Sequence, residues 1–228
     1  MDINGIQKLT LLDYPGHCAC TVFLAGCNLR CPFCHNSSLV LEKPEILMTE
    51  EKFFSFLSTR GGLLDGVCVT GGEPLLRGDI IPFLSKIKEA GFKVKLDTNG
   101  FFPAKLKEIL RLGLADYVAM DIKNSLPLYS LTCGVKADTE KVRESIEILR
   151  TSGIDHEFRT TCVKGYHTEE SIKELASLIS GEEKYFLQNF VDSGALIDPT
   201  CQGLSGEEMN LLLQAARKYV PNAQLRGV

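Results

Sequence analysis

Apolar, β-branched runs and amphipathic stretches take turns along this chain from end to end, and that alternation leaves few folds open. The runs fall at about Ala19–Leu24, Gly66–Thr70, Lys93–Thr98, Asp116–Ile122, Glu157–Val163 and Lys184–Phe190, and read as strands. Helical periodicity covers about Glu50–Thr59, Ile80–Ala90, Pro103–Leu112, Thr139–Ser152, Glu169–Ser180 and Gly206–Tyr219. Helix starts carry Thr49 and Thr168 ahead of paired acids, and helix ends carry Gly91, Gly113, Gly153 and Gly181. Consecutive βα units predict a parallel sheet in one α/β domain spanning residues 1–228, its core at about 18–190 and a final helix at about 206–219. Six such units are too few to close an eight-stranded barrel, so an open partial barrel or a doubly wound sheet remains. No linker, low-complexity tract or internal repeat interrupts the pattern.

Polar residues recur where each strand ends. A cysteine loop follows the first strand, Thr70-Gly-Gly-Glu-Pro74 the second and Asp97-Thr-Asn-Gly100 the third. Asp121-Ile-Lys123 closes the fourth, Arg159 lies in the fifth, and Gln188-Asn189 closes the sixth. In parallel α/β folds the C-terminal strand edge is where active sites assemble. Packing alone does not call for six polar strand ends.

The cysteine loop reads Gly26-Cys-Asn-Leu-Arg-Cys-Pro-Phe-Cys-His-Asn36, a C-x3-C-x2-C spacing of Cys27, Cys31 and Cys34. Cysteine thiolates hold iron–sulfur clusters, and a purely electron-carrying cube normally takes four of them. Three local ligands leave one iron open, and an open position marks a metal site that does chemistry. A zinc knuckle using the same thiols and His35 is a rival, although adjacent Cys34 and His35 suit tetrahedral ligation poorly. Three inert packed thiols are the plain alternative.

The chain has nine cysteines, an odd number that argues against a disulfide framework. Cys18, Cys20, Cys68 and Cys162 sit in apolar or β-branched runs and read as core thiols. Cys133 and Cys201 read as loop residues and as candidates for an additional ligand. Gly71-Gly72 lets backbone approach a ligand closely, and Glu73 beside them could grip an ammonium; a plain strand-to-helix turn is the structural alternative. Asp121 and Lys123 share one strand face and could form an internal pair or serve a ligand. Arg159 shares a face with Thr161 and could pair internally or bind a carboxylate. Val163-Lys-Gly-Tyr166 has the look of a radical-bearing glycine segment, but a mid-chain strand-to-helix loop in so short a chain rules that out.

Bulk properties narrow the setting. A net charge of −4 offers no basic field for nucleic acid or an anionic membrane. No apolar run reaches the roughly 18–20 residues that span a bilayer. Residues 1–12 lack the charged start, apolar core and cleavage site of a signal peptide. A cytoplasmic protein is expected.

Together and in this order, C-x3-C-x2-C, GGEP, DTNG and DIK resemble the radical S-adenosylmethionine enzymes, in particular the glycyl-radical-enzyme activating group, over about residues 5 to 220. Leu11-Leu-Asp-Tyr-Pro-Gly16, Cys34-His-Asn36 and Leu187-Gln-Asn-Phe190 look most like activating proteins of anaerobic ribonucleoside-triphosphate reductase. The resemblance implies a partial (β/α)6 barrel, open on one side to admit a segment of another protein. It implies a [4Fe-4S] cluster on Cys27, Cys31 and Cys34, with the amino and carboxylate groups of S-adenosylmethionine on the fourth iron. Gly71, Gly72 and Glu73 would hold the methionyl amino group, Phe33 would lie along the adenine, and Arg159, Thr161 and Asn189 would help seat the cofactor. Asp97, Thr98, the carbonyl of Ala119 and Asp121 match a monovalent-cation site, Asp97 also flanking the cofactor. Lys123 would lie near the cofactor and the incoming substrate loop.

The implied reaction starts with one electron from the reduced cluster, supplied by flavodoxin or ferredoxin. The sulfonium S–C5′ bond breaks, and the 5′-deoxyadenosyl radical takes a hydrogen from a glycine α-carbon of the partner, leaving a glycyl radical. Departures are few. Gln188-Asn189 stands where some relatives have histidine, Lys164-Gly165 replaces Pro-Gly after the fifth strand, and no ferredoxin-like insert is present. Three alternatives stand beside this reading. One is an activase of another glycyl-radical enzyme of the pyruvate formate-lyase type, another a small-molecule enzyme such as a 7-carboxy-7-deazaguanine synthase. The third is a non-enzymatic iron–sulfur carrier or sensor with a fourth protein ligand.

Overall fold

The computed structural model describes residues 1–41, 45–192 and 194–227. In chain order the strands are β1 (Asp2–Ile3), β2 (Gly5–Thr10), β3 (Ala19–Leu24), β4 (Met48–Thr49), β5 (Gly66–Gly71), β6 (Lys93–Thr98), β7 (Tyr117–Asp121), β8 (Asp155–Cys162), β9 (Tyr185–Asn189) and β10 (Gln224–Arg226). The α-helices are α1 (Ser37–Leu41), α2 (Glu50–Ser58), α3 (Ile80–Glu89), α4 (Pro103–Arg111), α5 (Tyr129–Cys133), α6 (Thr139–Ser152), α7 (Glu169–Leu178) and α8 (Gly206–Arg217). The main sheet has the strand order β10-β9-β8-β7-β6-β5-β3-β2 and ends at two edges. β3–β5, β5–β6, β8–β9 and β9–β10 are parallel, while β2 lies antiparallel on β3. This open, mostly parallel α/β sheet bears out the expected fold class.

All six expected strands form, within two residues of their expected limits. β2 and β10 extend the sheet from six strands to eight, and α5 occupies a stretch expected to be loop. The helix starts follow their caps. Thr49 accepts a hydrogen bond from the Lys52 N–H, and Thr168 and Ser171 cap each other reciprocally at α7.

Two compact units divide the chain. The first comprises Met1–Asn28, Ser38–Thr98 and Ala104–Ala119, the second Leu29–Ser37, Asn99–Pro103 and Met120–Val228. In the first unit, α2 and α3 bury Phe53, Leu57, Phe83 and Leu84, with the Phe53 and Phe83 rings 5.6 Å apart. The Leu-Asp-Tyr-Pro-Gly segment is packed into this unit. Tyr14 is 2% exposed and lies against Ala19 and Tyr117, and a Cβ on Gly66 would sit 2.9 Å from its ring. Asp13 accepts a hydrogen bond from Thr21 at 2.5 Å. Leu11 and Leu12 of the same segment stay exposed.

In the second unit, β10 is locked to β8 by a two-pronged pair: the Arg226 guanidinium reaches both oxygens of buried Glu157 at 2.7 and 2.9 Å. The same guanidinium lies 3.6 Å from the Phe186 ring centroid on β9. α7 and α8 bury Ile172, Leu175, Leu212 and Ala216. Among the described residues no helix is long and apolar enough to cross a membrane.

Candidate active site

Within the first unit, the backbone leading to Cys27 and the Gly71-Gly72-Glu73 turn are laced together. β3 and β5 run parallel in register, Leu24 opposite Gly71. Beyond that pair the Gly72 N–H donates to the Leu24 carbonyl and the Glu73 N–H to the Gly26 carbonyl, both at 2.8 Å. Contacts this close exclude side chains. A Cβ on Gly71, where φ is +130°, would lie 2.3 Å from Leu24 backbone atoms, and one on Gly72 would lie 2.0 Å from the Gly26 oxygen and 3.3 Å from the Cys27 Cβ. The two glycines are therefore required by the backbone that delivers the first cysteine.

Glu73 is 1% exposed. One carboxylate oxygen accepts from the Leu75 N–H at 3.0 Å and from the Thr98 hydroxyl at 2.9 Å, which caps the 3-10 turn at Pro74–Leu76 and ties it to the end of β6. Lys105 braces that turn from α4, donating to the carbonyls of Leu75 at 2.7 Å and Arg77 at 2.9 Å. Asp97 forms an ion pair with Lys95, two residues back on the same strand face. Lys95 is itself buried and also touches Cys68. Sequence reasoning passed over Lys95, although the i, i+2 spacing to Asp97 was there to be read. Ala119 is buried near the end of β7.

Within the second unit, the Leu29–Ser37 loop carries Cys31, Phe33 and Cys34. The Cys34 N–H closes a turn on the Cys31 carbonyl at 3.0 Å. Backbone bonds at 2.8 Å anchor the loop on both sides, from Arg30 N–H to the Cys133 carbonyl and from Asp198 N–H to the Pro32 carbonyl. Phe33, 4% exposed, meets Tyr166 and His167 edge to face. His35 stacks on Phe190 with ring centroids 5.3 Å apart, so its side chain packs beyond the end of β9.

A charged triad stands beside this loop. Asp121 receives Lys123 at 2.9 Å on one oxygen and Arg159 at 2.8 Å on the other. Burial alone raises the Asp121 carboxyl pKa, but Arg159 and Lys123 outweigh it and hold the group well below the usual carboxylate range. Burial works to lower Lys123, yet Asp121 and then Cys31 keep its ammonium firmly charged. The internal Asp121–Lys123 pair and the internal pairing of Arg159 both occur. Thr161 is half-buried on the Arg159 face of β8. Asn189 uses its amide in both directions, donating to the Leu204 carbonyl at 2.8 Å and accepting the Leu204 N–H at 2.9 Å.

Two residues give this half its stiffness without having been singled out by the sequence. His167 is 3% exposed; its Nδ1 accepts the Val163 N–H at 3.0 Å, so its Nε2–H donates to the Lys123 carbonyl at 2.8 Å. Burial lowers its pKa and keeps the ring neutral. Asn124 donates to the Thr132 hydroxyl and the Tyr166 carbonyl, joining the ends of β7 and β8. Both depend on backbone partners far away in sequence, which no local pattern announces.

The donor chemistry suits an iron–sulfur cluster. Cys31 is drawn down to about 7 by a hydrogen bond from Cys133, against burial and with help from Lys123, which favours the thiolate that binds iron. Burial moves Cys34 the other way. Among the described residues no three His, Cys, Asp or Glu side chains gather as the ligands of a single metal ion would. A four-iron cube makes no such demand, because each thiolate binds a different corner. Cys20, Cys68 and Cys162 are buried core thiols as expected, whereas Cys18 is half-exposed just before β3. Cys133 is corrected from loop to helix: it is the last residue of α5 and fully buried. Its five-residue helix is too short to show periodicity.

A mostly parallel α/β sheet with its polar residues at the C-terminal strand ends is the build of an enzyme. The Radical SAM superfamily matches residues 21–179, and the chain belongs to that superfamily. Members use a [4Fe-4S] cluster and S-adenosylmethionine, and the protein is an enzyme of this type. A protein of Methanocaldococcus jannaschii, provisionally named as a glycyl-radical enzyme activating enzyme, is 32% identical over 99% of this chain and 96% of its own. The pyruvate formate-lyase-activating enzyme of Clostridium pasteurianum is 35% identical over 54% of this chain and 52% of its own, so the match spans about half of that relative. Among solved structures, SuiB of Streptococcus suis bound to S-adenosylmethionine superposes with a TM-score of 0.70 at 15% identity, covering 91% of this chain and 52% of that one. A domain of a pyruvate-formate lyase-activating enzyme from Bacteroides vulgatus gives 0.57 at 21% identity, covering 71% and 99%. At such identities the structural likeness carries the fold.

Proposed function

We propose that the protein activates a glycyl-radical enzyme, with anaerobic ribonucleoside-triphosphate reductase as its partner. The observation that carries this reading is the end-to-end match to the Methanocaldococcus jannaschii protein, in a chain that keeps the three-cysteine loop. When bound, the cluster and S-adenosylmethionine supply one-electron cleavage of the sulfonium and a 5′-deoxyadenosyl radical that removes hydrogen from the partner's glycine. The residues of this chain bind, orient and shield. Cys27, Cys31 and Cys34 would hold the cluster. Gly71, Gly72 and Glu73 would present backbone and a carboxylate to the methionyl amino group, with Glu73 already fixed by Leu75 and Thr98. Phe33 would supply an apolar face for the adenine. Arg159, Thr161 and Asn189 would border the cofactor from the ends of β8 and β9. Lys123 would supply positive charge toward the cofactor and the substrate loop.

A monovalent cation on Asp97, Thr98, the Ala119 carbonyl and Asp121 would have to share carboxylates that Lys95, Lys123 and Arg159 already contact. Flavodoxin or ferredoxin would deliver the electron, in a cytoplasmic setting.

The test is to mix the reduced, reconstituted protein anaerobically with S-adenosylmethionine and either anaerobic ribonucleotide reductase or pyruvate formate-lyase. The proposal expects the doublet EPR signal of a glycyl radical on the reductase, and its loss in Cys31→Ala. A radical on pyruvate formate-lyase alone would reassign the partner, and a radical on neither would remove the activase reading.

A further inference from the structure

Between β9 and α8 the described residues form neither helix nor strand, so no ladder of their own fixes their path. Tertiary bonds within the second unit fix it instead. The Ser37 hydroxyl donates to the Ala195 carbonyl at 2.8 Å, and the Asp198 N–H donates to the Pro32 carbonyl at 2.8 Å. The Lys164 N–H donates to the Gln202 carbonyl at 2.9 Å, which joins the segment to the loop after β8. At the far end the Asn189 side-chain amide pairs with both backbone groups of Leu204, donating at 2.8 Å and accepting at 2.9 Å. A Cβ on Gly203 would lie 2.5 Å from the Phe190 carbonyl oxygen and 3.2 Å from the Asn189 Oδ1, so a side chain there would force this pair apart. Where the segment meets Pro32 it is itself a closed turn, in which the Asp198 carboxylate accepts the Thr200 N–H at 2.9 Å and the Thr200 hydroxyl at 2.6 Å. Ser205, next after Leu204, is the N-cap of α8, so the Asn189 pair also ties the segment to the start of that helix.

We infer that residues 195–204 are a strap across the cysteine loop and that Asn189, with Gly203, is its catch. Asn189 is in this way a positioning residue: it acts on Cys31 and Cys34 through the strap, which grips the Pro32 carbonyl between them. The role rests on the function proposed above in taking those thiols as cluster ligands. The Cys34 N–H closes the turn locally on the Cys31 carbonyl, and the strap holds the carbonyl that lies within that turn. A primary amide carries a donor and an acceptor side by side, so it can pair with a backbone N–H and C=O as a neighbouring strand would. Segments without regular structure open at low cost, and each tertiary bond removed makes opening more frequent. The catch thereby sets how often the loop around Cys31 and Cys34, where Cys31 is 8% and Phe33 4% exposed, opens to solvent.

The experiment is amide hydrogen exchange on the metal-free full chain, comparing wild type with Asn189→Ala, Asn189→Asp and Gly203→Ala. Asn189→Ala removes two hydrogen bonds, so exchange in residues 195–204 should quicken about tenfold, and residues 30–36 should quicken with them. Asn189→Asp keeps the shape but sets two acceptors against each other at the Leu204 carbonyl, so it should loosen the strap without leaving a void. Gly203→Ala should reproduce the effect with the amide still in place, and α6 should keep wild-type exchange in all three. After anaerobic cluster reconstitution, iron loss to an added chelator should quicken about tenfold in the same variants. Quickened exchange in 195–204 with 30–36 unmoved would overturn the coupling, and unmoved exchange in both would overturn the catch. If Asn189→Ala loosens α6 as well, Asn189→Asp decides alone, and wild-type exchange at 30–36 is the refuting result. A wild type that takes up no cluster would overturn the proposed function, whereas exchange on the metal-free chain decides the strap by itself.

Discussion

Replacing Gly72 by alanine tests how the glycine pair serves the first cysteine. The added methyl would sit 2.0 Å from the Gly26 carbonyl oxygen, so that oxygen must recede by about 1.4 Å to reach the 3.4 Å of ordinary contact. The atom cannot swing away as a side chain would, because it is backbone, and it accepts the Glu73 N–H at 2.8 Å. Overpacking of this kind costs about 1–3 kcal/mol, and weakening that hydrogen bond adds about 1 kcal/mol. With a urea dependence near the upper end for a chain of this size, the unfolding midpoint should fall by about 1 M. Moving Gly26 also moves Cys27, so iron bound per chain should drop, and a displacement of roughly 1 Å at a reacting centre lowers turnover by about a hundredfold. Gly78→Ala is the control, since a Cβ there meets nothing within 4 Å. Urea denaturation and iron analysis of the two variants side by side decide the matter. If Gly72→Ala keeps both the midpoint and the iron of Gly78→Ala, the cradle argument is wrong.

Two other perturbations have definite signs. The Asp121 carboxyl is held below its ordinary value by Arg159 and Lys123 after burial has raised it, so its stabilisation is complete above the unfolded pKa of about 3.9 and is lost as pH falls through the folded value. Asp121→Asn should cost about 2 kcal/mol at neutral pH, and the gap to wild type should narrow below about pH 4 in chemical denaturation; a gap independent of pH would contradict this. Arg226→Ala strands the buried Glu157 carboxylate, should cost about 3 kcal/mol, and should speed hydrogen exchange in β10 before it affects β3 or β5. Uniform exchange acceleration would show that the pair does not lock that edge.

How far the sequence could be read depended on what each feature needs from its surroundings. The six expected strands were legible because their apolar runs are bounded by turn residues, and the observed limits differ by at most two positions. β2 was not, because Gln7, Lys8 and Leu9 are all exposed at the sheet edge and leave no alternation to find. β10 has three residues and depends on Arg226 reaching Glu157 across 69 positions. Among site residues, the Asp121–Lys123 pair followed from period-two spacing, and the need for Gly71 and Gly72 followed from residue type. The involvement of His167 and Asn124 did not, since each acts through a partner more than forty residues away that only tertiary packing supplies, whereas Lys95 was readable from its i, i+2 spacing to Asp97. The Leu-Asp-Tyr-Pro-Gly segment was legible as a signature, and the structure gives it a packing role through Asp13 and Tyr14.

The central claim is that three thiols hold a cluster with one iron open to S-adenosylmethionine. The direct measurement is the EPR spectrum of the anaerobically reconstituted, reduced protein, recorded without and then with S-adenosylmethionine, followed by assay for 5′-deoxyadenosine. A changed signal and accumulating 5′-deoxyadenosine are the predicted result. A spectrum indifferent to the cofactor, or a protein that takes up zinc in place of iron, would contradict the account at its first step.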